Sequence, residues 1–245
     1  MDKYNVYQDM SRRTGGEIYL GIVGPVRTGK STFIKRFMEL VVIPEMSDDN
    51  EKVRTIDELP QSADGKTIMT TEPKFIPKEA AVIHFSNQET GKIRLIDCVG
   101  YLVPEAVGAI EEEKERMVKT PWSEEEIPFS KAAEIGTSKV IREHSNLGLI
   151  ITTDGSFGDI PAVNFEEALQ KTVMECEKAG KPFLILVNTS RPDSQETIQF
   201  TKRLEAQYGK TVMAVNCKTM DREDVFRIME QLLADFPITR LNFLG

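Results

Sequence analysis

Apolar residues gather along the chain in short runs, with segments of helical period between most of them. Six runs read as strands, over 17–23, 81–86, 92–97, 148–153, 182–188 and 210–216. Most are continuous rather than alternating, as strands buried on both faces should be. The alternation with helical segments predicts an α/β fold, a mainly parallel sheet with helices on both faces. The second and third runs are separated only by NQETG, too short for a crossover helix, so they should pair as an antiparallel hairpin and reverse one edge strand. After Asn164, with Glu167 three positions on as a capping box, Phe165, Ala168, Leu169, Thr172, Cys176 and Ala179 fall on one helical face. After Asp221, Val225, Ile228, Met229, Leu232, Leu233 and Phe236 do the same, and both stripes read as core.

Two stretches do not fit a minimal fold of this kind: 46–77, polar and rich in Asp and Thr, and 101–126, dense in Glu and Lys. Long loops in compact domains are usually functional or mobile. The tail 238–245 (ITRLNFLG) follows Pro237 and reads as the start of another element, which leaves 1–237 as one domain.

Composition narrows the classes. Of 245 residues, 40% are hydrophobic and 29% charged, ordinary for a globular protein with a full core. The balance of 31 basic against 39 acidic side chains gives −8, so the electrostatic footprint of a general nucleic-acid binder is missing. The first sixteen residues lack an apolar h-region, and no apolar run approaches the roughly 18 residues of a membrane span, so a cytoplasmic location is expected. Cys98, Cys176 and Cys217 lie far apart in apolar surroundings and read as buried hydrophobes rather than zinc ligands or disulfide partners. His84 and His144 lie in no motif.

Residues 24–31, Gly24, Pro25, Val26, Arg27, Thr28, Gly29, Lys30 and Ser31, match G-x-x-x-x-G-K-[ST], the phosphate-binding loop or Walker A motif. The loop follows an apolar strand and opens an amphipathic helix that starts through Thr32 and bears Phe33, Ile34, Phe37 and Met38, the required strand, loop, helix order. Glycines let the backbone curl until successive N–H groups point inward, and the helix N-terminus adds its partial positive charge. Lys30 should reach the β- and γ-phosphates, and the Ser31 hydroxyl is a hard ligand suited to Mg²⁺. The run ending in Asp97 and followed by Gly100 supplies a Walker B carboxylate for the metal's outer shell and a glycine whose N–H could meet the γ-phosphate. Thr70 and Thr71, at the end of the long loop, stand where a GTPase's first switch places a threonine on Mg²⁺ and γ-phosphate; which of the two would contact the metal is open.

This order is that of translation-factor-like GTPases, which read guanine with N-K-x-D after a later strand. Here that strand ends in Asn188, Thr189, Ser190 and Arg191, so Lys is replaced by Thr and the guanine-accepting Asp by Arg. Arginine only donates hydrogen bonds, and donors opposite donors leave a buried mismatch of roughly 1–3 kcal/mol each. Guanine selectivity should collapse, and ATP is expected instead. Asn216, Cys217 and Lys218 sit where such proteins carry their last base-contacting loop.

Together, the GPVRTGKS loop, TIMTTEPKFIP, LIDCVGYLVP and the NTSRP in place of N-K-x-D resemble the stage IV sporulation protein A family, spore-coat morphogenetic ATPases of endospore-forming bacteria, over essentially the whole chain. The resemblance implies a GTPase-type P-loop domain turned to ATP, of which this chain looks like the N-terminal part. It implies hydrolysis that drives self-association into a static polymer on the forespore surface, in the mother-cell cytosol, where coat proteins are recruited. A small amphipathic forespore-membrane protein is the implied partner of a C-terminal region outside this chain. By the same resemblance Lys30 carries over from Walker A, Asp97 from Walker B, and Thr70 with Thr71 from the sensor threonines.

Tyr101 follows Gly100 where many GTPases keep a water-orienting Gln or His, so turnover should be slow. Arg27 occupies the loop position where cation-dependent GTPases hold a monovalent ion through Asn, and its guanidinium is a candidate substitute for that ion; a surface Arg paired with an acid is the plainer reading. A regulatory GTPase and a scaffold that binds nucleotide without cleaving it are the competing functions.

Overall fold

A computed structural model describes residues 17–60, 72–84, 90–106, 110–111 and 114–234. Six strands form one sheet: β1 (Glu17–Val23), β2 (Lys74–His84), β3 (Thr90–Asp97), β6 (Leu147–Thr153), β7 (Phe183–Asn188) and β8 (Val212–Val215). Their order across the sheet is β8-β7-β6-β1-β3-β2. All neighbours are parallel except β2 against β3, the reversed edge pair that the short connection dictates.

Continuous apolar runs are what a two-faced core needs. In β1, Ile18, Leu20 and Ile22 point to one side and Val23 to the other. The first side is covered by α1 (Lys30–Phe37), through Phe33, Ile34 and Phe37, and by α6 (Arg222–Ala234), through Val225, Ile228, Met229, Leu232 and Leu233. The second is covered by α4 (Glu166–Lys178), through Leu169, Val173 and Cys176, and by α5 (Gln195–Tyr208), through Leu204. The helix α3 (Phe129–Lys139) continues into a π-turn whose Val140 and Ile141 join this second core. The α/β fold class and the helices on both faces are therefore as the periodicity predicts.

Several expectations are corrected. β2 starts at Lys74, not at 81, because the strand's register shifts between Ile76 and Ala81 and Pro77 interrupts its pattern. The stretch 46–77 is not loop throughout: Asp48 caps α2 (Asp49–Glu58), accepting from the Asn50 and Glu51 N–H groups at 2.8 and 3.4 Å. Within 101–126, β4 (Met117–Thr120) turns back into β5 (Ser123–Pro128) as a hairpin. The capping box at Asn164 does not form, since residues 162–165 make a single 3₁₀ turn from Pro161 and α4 starts one step later without a side-chain cap. A reciprocal cap appears instead at α6, where Asp221 Oδ1 accepts from Asp224 N at 2.9 Å and Asp224 Oδ2 from Asp221 N at 3.1 Å. Phe236 and the tail 238–245 lie outside the described residues.

The three cysteines are buried and unbridged. Burial pushes the Cys98 thiol up to about 11 and those of Cys176 and Cys217 up to about 12, so all three stay protonated at neutral pH. Among the described residues, no helix is long and apolar enough to cross a membrane.

Candidate nucleotide site

The chain leaves β1 for β3 and β2 on one side, then returns to place β6 on the other, so the carboxyl end of β1 is the point where strand order reverses. Open α/β sheets bind ligands at such a point, and residues 24–31 occupy it. The loop curls through left-handed backbone at Gly24 (φ 129°), Arg27 (φ 62°) and Gly29 (φ 94°). Gly29 is the N-cap of α1, with no side chain capping the helix and no acid in its first turn, so the first-turn N–H groups are left for an anion.

Close approach fixes the glycines as well as their dihedrals. A Cβ on Gly29 would lie 2.3 Å from Asn188 Nδ2; one on Gly100 (φ 94°) would lie 2.1 Å from the Gly24 carbonyl and 2.7 Å from Lys30 Nζ. Gly100 is thus pressed onto the loop from the far side of β3.

Lys30 is 5% exposed, and its Nζ donates to the Pro25 carbonyl at 2.6 Å and, more weakly, to that of Gly24 at 3.5 Å. Burial lowers its pKa, while the negative charge of the Asp97 carboxylate acts in the opposite direction. Asp97 Oδ2 accepts from Ser31 Oγ at 3.4 Å, whereas its Oδ1 is buried with no partner among the described residues. Desolvation pushes the Asp97 carboxyl up to about 6, against the pull of Lys30 and of the Cys98 N–H. A hydroxyl and an orphaned carboxylate oxygen beside a phosphate nest fit a hard divalent cation such as Mg²⁺. Ser31 would ligate it, and Asp97 would hold its outer shell.

Asn188 serves the scaffold. Its Nδ2 donates to the Thr28 carbonyl at 3.0 Å and its Oδ1 accepts from Cys217 N at 3.0 Å, tying the phosphate loop to the loop after β8. Thr28 Oγ1 closes the loop on itself by donating to the Pro25 carbonyl at 3.0 Å. Thr189 is fully buried, its hydroxyl donating to Asp154 Oδ2 at 2.6 Å and accepting from Arg191 N at 3.2 Å, so it faces the interior rather than a base. Arg191 itself is exposed, as is Arg27. Thr32 is half-buried on the first turn of α1. Thr70 and Thr71 lie outside the described residues.

Three features were not legible beforehand. The Gly100 N–H is donated to Thr137 Oγ1 at 3.2 Å, a hydroxyl that itself donates to the Ala133 carbonyl at 2.8 Å within α3. Meeting a γ-phosphate would therefore require Gly100 to leave Thr137. Thr137→Val should leave that buried N–H unpaired and cost the nucleotide-free protein about 1–3 kcal/mol in urea unfolding, and the loss should shrink when ATP and Mg²⁺ are present. Second, Val26 N donates to the Tyr101 carbonyl at 2.9 Å, a parallel bridge that sews the segment after β3 to the phosphate loop. Third, Tyr101 is 6% exposed and packs with Val26, Val103, Ile160, Phe165 and Ala168.

The family comparison bears on this geometry directly. Residues 1–237 match the model for the ATPase domain of stage IV sporulation protein A. The chain belongs to that family. It is 50% identical over 242 residues to stage IV sporulation protein A of Bacillus subtilis (strain 168), covering 99% of this chain and 49% of that protein. To the protein of the same name from Clostridioides difficile (strain 630) it is 47% identical over 238 residues, covering 97% and 48%. The chain thus spans about half the length of the curated relatives it matches. A solved structure, the crystal structure of a mutation variant of SsGBP, aligns over 93% of this chain and 58% of that one at 13% identity with a TM-score of 0.47, too distant to bear on the site. For a member of this ATPase-domain family, a mostly parallel sheet with a P-loop at its switch point is the architecture expected, and it is the one found.

Proposed function

We propose that this chain binds ATP with Mg²⁺ on residues 24–31 and hydrolyses it slowly. The observation that carries the reading is the uncapped, left-handed cradle with Lys30 Nζ converging on it and Asp97 Oδ1 beside it, buried and without a partner among the described residues. Phosphoryl transfer asks chiefly for positioning and for neutralisation of charge on the phosphate oxygens. Backbone N–H groups of 29–31 and the Lys30 ammonium supply this from the protein; Mg²⁺, held by Ser31 with Asp97 in its outer shell, would supply Lewis-acid neutralisation of phosphate charge there. Thr70 or Thr71 is proposed to reach the same oxygens from the first switch. With Tyr101 turned into an apolar cluster, water is poorly oriented, and a slow rate follows.

Adenine is favoured because Arg191, a donor only, replaces the carboxylate that would accept from guanine. In the longer protein we propose that the cycle drives self-association into a coat basement layer on the forespore surface, facing the mother-cell cytosol. Coat proteins and a small amphipathic membrane protein would then be the partners, engaged mainly through the region beyond this chain. The test is phosphate release from ATP and GTP side by side, with and without Mg²⁺. Release from ATP that needs the metal supports the reading. Faster release from GTP would favour a regulatory GTPase, and tight binding without release would favour a scaffold.

Arg27 is proposed to place positive charge near the β/γ bridge, from a left-handed backbone position at the tip of the loop. Arg27→Ala should lower phosphate release by about tenfold or more while ATP affinity changes only a few-fold, since a charge used in the transition state alone appears in kcat. Single-turnover kinetics beside equilibrium titration would separate the two, and an unchanged rate would remove Arg27 from the mechanism.

A further inference from the structure

Thr189, in the loop after β7, spends its hydroxyl on Asp154 inside the protein. The same interaction holds the loop after β6 in place. Asp154 Oδ1 accepts from Ser156 N at 3.0 Å, and Ser156 Oγ accepts from Ser190 N at 2.8 Å, so 154–156 and 189–190 form one unit. The next residue, Phe157, is half-buried, and Lys218 Nζ stands 5.7 Å from its ring centroid. Lys218 in turn follows Cys217, which Asn188 ties to the phosphate loop. Three residues beyond Phe157, Ile160 packs in one cluster with Val26 of that loop.

Residues 154–160 therefore run as a wall from the loops at 188–191 and 216–218 to the phosphate cradle, with a half-exposed aromatic ring partway along. We propose that Phe157, backed by Lys218, is the surface on which the purine base of the nucleotide stacks. This rests on the phosphate cradle proposed above. A ring face has no donor–acceptor code, so stacking there supplies affinity for either purine and leaves discrimination to the polar groups of the loops after β7 and β8.

The test measures binding of ATP, GTP and inorganic tripolyphosphate, each with Mg²⁺, to the unmodified chain and to Phe157→Ala and Phe157→Trp. Loss of one base stack should weaken ATP and GTP in parallel by about 5- to 150-fold in the alanine variant, with tripolyphosphate unchanged. The tryptophan variant should restore ATP affinity, and its introduced indole should be quenched by ATP but not by tripolyphosphate. Unchanged nucleotide affinity in Phe157→Ala, or an equal loss for tripolyphosphate, would overturn the stacking role and leave Phe157 as loop packing. Failure of the unmodified chain to bind either ATP or tripolyphosphate would instead overturn the cradle, and the stacking with it.

Discussion

Replacing Lys30 by alanine should reduce phosphate release from ATP by about two to three orders of magnitude, the range seen when one preorganised donor to a developing oxyanion is removed. Its ammonium is almost wholly buried and held at the loop by the Pro25 and Gly24 carbonyls, bonds it would exchange for those to a triphosphate. Burial already presses it toward the neutral form, and a triphosphate would favour the charged one. The variant should stay folded by circular dichroism, because the loop's curl is set by its left-handed residues and by Asn188 rather than by the lysine. A colorimetric phosphate assay at saturating ATP reads the effect. A rate within threefold of the unmodified chain would show that hydrolysis does not use this site.

Asp97→Asn should act in opposite directions on activity and on stability. The folded chain holds the Asp97 proton up to about pH 6, while the unfolded chain releases it near the ordinary value of 3.8. Between those values the folded state binds more protons, so the stability of the nucleotide-free protein falls as pH rises through the window and stays low above it. The two pKa values convert to a cost of up to about 3 kcal/mol at neutral pH. Asparagine keeps an oxygen to accept from Ser31 and the Cys98 N–H but carries no charge, so the variant should melt higher than the parent at pH 7.5 and converge with it near pH 4. Hydrolysis should need a higher Mg²⁺ concentration and fall by about ten- to a hundredfold, since the outer-shell carboxylate is gone. Thermal melts across pH 4–8 without nucleotide, paired with phosphate release, check both arms. A lower melting point at pH 7.5 would contradict the desolvated carboxylate.

Much of this was open to reading from the chain. β6 and β7 are continuous apolar runs, and β1 and β3 close in apolar residues just before the phosphate loop and Asp97, so both could be placed within a residue of their observed positions. The hairpin of β2 with β3 followed from connection length alone. What escaped depended on partners remote in sequence. Thr189 looked like a base contact until Asp154, 35 residues earlier, turned its hydroxyl inward. Thr137 stands in no motif and meets Gly100 only because α3 packs there. The polar α2 was hidden for a different reason: Val53 and Ile56 are exposed, so its few apolar residues do not trace a core face, and only the cap at Asp48 gave a sign of it. The capping box at Asn164 failed because Phe165 was drawn into the cluster under Val26, which tightened the turn before α4.

The stitch between Val26 and Tyr101 constrains how the protein can respond to losing a phosphate. A second switch that swings from its first residue would have to rip a main-chain bond from the cradle and drag a phenol ring out of an oily seat. Displacement of that segment should therefore hinge beyond Val103, leaving 101–103 as a fixed jamb beside the more movable Gly100, and a change at the cradle would pass sideways through Ile160 and Phe165 into the start of α4.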